Sequence, residues 1–223
     1  MPDSLERCLE AALRDSSFIG QILIRRTGGG RFVLCHRDDE GRNDLQVFQD
    51  SEDVVELARY DDAGNYRPLK TAPDLRHGWR LEIDDFSKLR RALDYFYPGR
   101  LAVLAAWKGD RLTTIPLRQT LNRQSGMYRL AAKISDQQIN DLVGSFCRSG
   151  GGCLRTILWK RDAGGALPST KLPREKFDIA SDQARRPGSS SPATRRAIPL
   201  LCQEACNLLV NECRKVVKGA RPV

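Results

Sequence analysis

Apolar residues recur at Leu5, Cys8, Leu9, Ala12 and Leu13. That spacing of three and four predicts an amphipathic helix at the start of the chain. The period then drops towards two. "FIGQILIRR" and "RFVLCHR" flank "TGGG" and read as a β-hairpin closed by a glycine turn, with "DLQVF" continuing the meander as a third strand. Ser51 is placed to cap a short helix over "EDVVELARY", whose acidic first turn suits the helix dipole. "WRLEI" predicts a further strand, and "DFSKLRRALDYFY" a helix that stops at Pro98 and Gly99. "LAVLAAW" and "RLTTIPL" around "KGD" read as a second hairpin.

The pattern changes near Gly126. "MYRLAAKI" is read as a strand, and Ser135 with Gln138 forms a capping box that opens the helix "DQQINDLVGSF". "LRTILW" after Cys153 has the bulky and β-branched residues of a strand. Residues 164–197 are rich in Pro, Ser, Gly and Arg and read as a flexible linker. A last helix is expected to start at Pro199, run through "LLCQEACNLLVNECRKVVK" and stop at Gly219. The fold class is α+β: an N-terminal antiparallel-sheet domain with helices over 1–125, then a small cysteine-bearing domain over 126–223.

Composition narrows the class. With 40% hydrophobic and 29% charged residues in 223, the chain can bury a core and is not of the disordered kind. No apolar run approaches the roughly 20 residues of a membrane helix, and "MPDSLERCLEAALRD" has no apolar signal region, so a cytoplasmic location with reduced thiols is expected. The net charge of +9 suggests an anionic partner, with late basic residues at Arg185, Arg186, Arg195, Arg196, Arg214, Lys215, Lys218 and Arg221. A solvated basic tail explains the same residues.

Seven cysteines carry the chemistry. Cys8 on the first helix and Cys35 in a strand read as packing. Cys202 and Cys206, four apart on the expected helix, would share one face with Cβ atoms about 5–6 Å apart. Cys147 and Cys153 bracket Gly150, Gly151 and Gly152, which let backbone approach sulfur closely. Together the two pairs offer four thiolates. Cys213 would lie about 10 Å further along the helix from Cys206 and reads as packing. The C-x5-C spacing is wide for a zinc knuckle and histidine is missing from the group, so an iron–sulfur cluster is the leading reading, with zinc and unligated thiols left open.

Several phrases also resemble a known family: "ELARYDDAGNYRPLKTAPDLRHGWRL", "ALDYFYPGRLA", "IPLRQTLNRQSGMYRLAAKISDQQINDLV", "GGCLRTILW" and "LLCQEACNLLVNECRKVVK". They are similar to the C-terminal half of bacterial CbiX-type sirohydrochlorin cobaltochelatases, where chelatase domains precede a stabilising domain and a [4Fe–4S] cluster domain. The resemblance spans nearly the whole chain. It implies a [4Fe–4S] cluster held by Cys147, Cys153, Cys202 and Cys206. The chelatase domains themselves are missing from this pattern, and His36 and His77 read as surface or half-buried residues rather than metal-insertion bases. The implied role is therefore that of an iron–sulfur accessory to a separate CbiX-type chelatase subunit in cobalamin or tetrapyrrole synthesis, with an anionic tetrapyrrole as possible ligand and no membrane partner.

Other motifs add little. "TGGGR" lacks the Lys-Ser/Thr ending of a phosphate loop, no G-x-S-x-G is present, and "YDDAGNYRP" reads as an Asx turn at Asp61 and Asp62. Phe146 and Trp159 could shield a cluster from water or simply pack. Two alternatives of other classes stand beside the leading one: a zinc-stabilised nucleic-acid-binding module with an Arg-rich linker on phosphates, and a pure scaffold.

Overall fold

The structure is a computed structural model. It describes residues 4–61, 63–66, 75–112, 121, 123, 133–143, 145, 156–157, 196–203 and 206–219. The chain divides into two compact units, residues 1–110 with 191–200 and residues 111–190 with 201–223.

The first unit opens with α1, Ser4–Asp15, which buries Leu9 and Ala12 as its periodicity requires. "FIGQILIRR" is two strands and not one: β1, Ser16–Ile19, turns at Gly20 and Gln21 into β2, Ile22–Arg26. The reason is local. Gly20 has φ +58, and a Cβ there would sit 2.5 Å from the hydroxyl oxygen of Tyr97. Tyr97 reaches that spot because its hydroxyl accepts the Gln21 N–H at 2.9 Å, while the Gln21 side chain accepts Leu75 N–H at 3.1 Å and its carbonyl accepts Arg37 N–H at 2.7 Å. The expected glycine turn follows, with Gly29 and Gly30 at positive φ and Thr27 N–H bonded to the Arg31 carbonyl. It leads to β3, Phe32–His36.

β4, Gln46–Phe48, is the expected third strand, but it does not extend the meander. It pairs in parallel with β5, Trp79–Ile83, which itself lies antiparallel to β3. After the short strand β6, Thr156–Ile157, residues Arg196–Ile198 form β7 and pair in parallel with β1. The last residues of the expected linker are thus ordered, as an edge strand. The sheet runs β4-β5-β3-β2-β1-β7, an antiparallel centre with parallel strands at both edges.

Asp50, and not Ser51, caps the next element: its carboxylate accepts Glu52 N–H, and Ser51 is buried in a 3-10 turn ahead of α2, Val54–Arg59. Asp85 accepts Lys88 N–H and starts α3, Phe86–Phe96. After Gly99, at φ 70, the chain forms α4, Arg100–Lys108, where a strand was expected. "LAVLAAW" is rich in Leu and Ala, the strongest helix formers, and Leu101, Leu104 and Ala105 bury one helical face. α1 packs on β1 and α3 on β5, with Trp79 stacked on Phe96 at 5.1 Å. The Asx turn is real at Asp61, whose carboxylate accepts both the backbone and side-chain N–H of Asn65.

Gly20→Ala should lower the unfolding free energy by roughly 2 kcal/mol or more, combining left-handed backbone with overpacking. Tyr97→Phe, which orphans the buried Gln21 N–H, should cost about 1–3 kcal/mol. Denaturant titration of the full chain followed by near-UV circular dichroism measures both; an unchanged midpoint for Gly20→Ala would mean this turn is not packed as described.

Candidate metal centre

In the second unit the capping box forms as its residues require. Gln138 N–H bonds the Ser135 hydroxyl at 3.2 Å, and Ser135 N–H bonds the Gln138 side chain at 2.9 Å. It opens α5, Asp136–Leu142. This helix packs on α6, Asn207–Val217, through a core of Ile134, Ile139, Leu142, Val143, Leu209 and Val210.

The expected helix from Pro199 is not found. Leu201–Cys202 form a short strand, β8, parallel to β6, Thr156–Ile157, with Ile157 opposite Cys202, and α6 begins only at Asn207. Pairing with β6 takes the backbone that helical periodicity would have claimed. Cys202 and Cys206 therefore do not stack on one helix face. Cys202 lies buried on β8, whereas Cys206 is the half-buried N-cap residue of α6, extended at φ -84 and ψ 165. Its side chain makes no capping hydrogen bond. Cys206 is a free thiol. Cys213 is fully buried among Ile139, Leu142 and Leu209, in keeping with packing. Cys147 and Cys153 lie outside the described residues. So do "MYRLAAKI" up to Ala132, Phe146, Trp159 and the loop glycines. β6 begins three residues after Cys153 in sequence, and its partner strand carries Cys202.

The first unit holds a group that the sequence reading did not assemble. His36, at the end of β3, is fully buried rather than surface or half-buried, because alternation along β3 puts it on the face of Phe32 and Leu34. His77, about a third exposed, precedes β5 and lies against it, ring centroids 3.8 Å apart at 46°. Asp39, in the 3-10 turn after β3, is only 2% exposed. Its Oδ2 accepts Gly78 N–H at 2.7 Å, and its Oδ1 accepts Arg42 at 2.7 Å and stands 3.8 Å from His77 Nδ1. His36 Nδ1 accepts Asp38 N–H at 3.2 Å; Nε2 is sealed without a hydrogen-bond partner among the described residues. Burial, reinforced by the neighbouring His77, pulls the His36 pKa down from 6.5 to about 4. The one signal available in sequence was parity in "FVLCH".

Comparison with known proteins adds the class. Residues 5–111 match the DR2241 stabilising domain, and residues 109–215 match a 4Fe–4S iron–sulfur cluster binding domain. The chain is thus an α+β iron–sulfur protein whose cofactor is a 4Fe–4S cluster. In order along the chain, the two matches are to a stabilising domain of the DR2241 type and to a cluster-binding domain, the pair that the CbiX-type resemblance implied. A solved relative is the crystal structure of DR2241 from Deinococcus radiodurans, described as a multi-domain protein with structural similarity to chelatases but also with two additional novel domains. It is 28% identical with a TM-score of 0.72, over 96% of this chain and 41% of that one. This chain thus spans well under half the length of that relative. No curated protein matches it. Cys202 and Cys206 would fit a cluster, offering soft sulfur from a strand and an adjoining helix cap beside a core of aliphatic residues. No helix among the described residues is long and apolar enough to cross a membrane.

The two histidines make a clean titration possible in metal-free protein. One ring C2–H resonance, that of His36, should hold its neutral shift down to about pH 4 by NMR. The sign for stability follows from the lowered value: His36 contributes fully above pH 6.5, and its contribution falls away as pH drops towards 4, by on the order of 3 kcal/mol. Two resonances that both titrate near 6.5 would contradict the burial of His36.

Proposed function

We propose that this protein is an iron–sulfur accessory chain that works beside a CbiX-type metal chelatase in cobalamin or related tetrapyrrole synthesis, with Cys147, Cys153, Cys202 and Cys206 as the cluster ligands. The observation that carries the reading is the match of residues 109–215 to a 4Fe–4S cluster binding domain, together with likeness over 96% of the chain to a protein described as similar to chelatases. The supporting geometry is local. β6 and β8 run side by side, so the strand that follows Cys153 in sequence adjoins the strand of Cys202, and Cys206 stands four residues on at the mouth of a helix.

Two of the four ligands have distinct tasks in this reading. Cys206, at the N-cap, holds sulfur against the positive end of α6, which offsets the negative charge of a thiolate-bound centre. Cys202, buried on β8, keeps its side of the site away from water, and exclusion of water is one of the levers that set a cluster's potential. The cluster supplies electron transfer or structural stapling of the domain. The net charge of +9 suits the carboxylates of a tetrapyrrole or an acidic partner surface.

Anaerobic reconstitution should yield about four iron and four sulfide per chain with visible cluster absorption. Alanine at Cys147, Cys153, Cys202 or Cys206 should bleach it, while Cys213→Ala should destabilise the fold but keep the colour. Stoichiometric zinc with no sulfide would end the ligand assignment. Pull-down with a small CbiX-type chelatase should show association that weakens as salt rises; no association at physiological salt would remove the partner.

A further inference from the structure

A chain of 223 residues with two histidines brings both of them together beside one buried carboxylate. The donor atoms of His36, Asp39 and His77 all lie within 4.8 Å of one another, and His77 Nδ1 is 3.8 Å from Asp39 Oδ1. Around a tetrahedral zinc ion with bonds near 2.0–2.1 Å, ligand atoms stand about 3.3–3.4 Å apart, so small side-chain rotations close the group onto a metal. We propose that His36, Asp39 and His77 form a binding site for one divalent transition-metal ion of the borderline kind that takes two imidazoles and a carboxylate, with zinc as the reference case, separate from the cysteine centre of the second unit.

Chemistry and placement both support the site. Two imidazoles and one carboxylate are a recurrent ligand set for such ions and leave coordination positions open for water or a further ligand. Asp39 is already oriented: Gly78 N–H holds Oδ2, and Arg42 holds Oδ1. Arg42 is itself a cation on Oδ1, at 2.7 Å, and also pairs with both oxygens of Asp44, so a bound ion shares Oδ1 with the guanidinium or displaces it towards Asp44.

His36 carries the second, independent observation. Its Nδ1 accepts the Asp38 N–H, which leaves the ring proton on Nε2, where no described group receives it. A fully buried ring nitrogen without a partner is costly in a loop staple. Coordination through Nε2 moves that proton to Nδ1, with none released; Nδ1 then gives up the Asp38 N–H it accepts and donates instead to the Asp38 carboxylate, now 3.8 Å away. That is the carboxylate–histidine–metal arrangement common to such sites. His77, partly exposed at the rim, gives an ion a way in.

The test is cobalt(II) binding to the full chain after the iron–sulfur cluster has been reconstituted, so that cysteine sites are occupied. The wild type should take up one equivalent whose visible d–d bands show nitrogen and oxygen ligation without thiolate charge transfer, and zinc(II) should displace it. His77→Ala, at a rim position that leaves the core untouched, should weaken binding at least tenfold, and Asp39→Asn should do the same. The proposal fails if the wild type binds no cobalt beyond the cluster, if the bands report thiolate ligands, or if His77→Ala binds as tightly as wild type. The wild-type spectrum decides the matter even should a variant misfold.

Discussion

A single buried carboxylate sets much of the first unit. Asp39 is held out of water, and a lone charge there would be strongly unfavourable, so the fold must supply it with partners. Gly78 N–H and Arg42 are those partners. Through Gly78 the carboxylate fixes where the chain enters β5 relative to the end of β3, and the same glycine carbonyl receives Gln46 N–H at the start of β4. From that register follow the pairs Phe32 with Ile83 and Leu34 with Leu81, and the stacking of Trp79 on Phe96. Phe96 precedes Tyr97, whose hydroxyl holds the Gln21 turn, and Gln21 in turn bonds Arg37, beside His36. Two groups of hydrogen bonds, one around Asp39 and one around Gln21, thus tie the loop end of this sheet, and the two histidines lie beside them.

The second unit solves a different problem. Among its described residues two packed helices and a two-stranded pairing enclose one apolar cluster. A 4Fe–4S cluster bound there adds its binding free energy to that of the fold. A strand that ends at a buried cysteine, followed within four residues by a helix with another at its N-cap, gives two cysteines different surroundings: one buried on a strand, one half-buried at a helix start. Such asymmetry is available to a centre that must be both anchored and tuned.

The proposed centres differ in scaffold as well as in chemistry. The cysteines proposed as cluster ligands lie in the second unit. The nitrogen and oxygen donors lie in the first, on a six-stranded sheet with four packed helices, α1 to α4, among the described residues. Gly78 N–H and Arg42 offset the burial of Asp39, while His36 keeps one buried nitrogen without a partner among the described residues.

Local chemistry was enough for part of this. The face of α1, the glycine turn after β2, the capping box of Ser135 and Gln138, the Asp61 turn and the halt of α3 before Gly99 are each decided by neighbours within a few residues, and the sequence alone determined them. It also determined that sulfur-rich chemistry belongs to the second half. The tertiary structure alone decided the rest. β4 and β7 became parallel edge strands, "LAVLAAW" became a helix, and Cys202 moved from an expected helix onto a strand, because each of these depends on which distant backbone is free to pair. The meeting of His36 with His77 depends on it too: periodicity can give a residue its face, but only the register of β3 against β5 brings two remote imidazoles to one carboxylate.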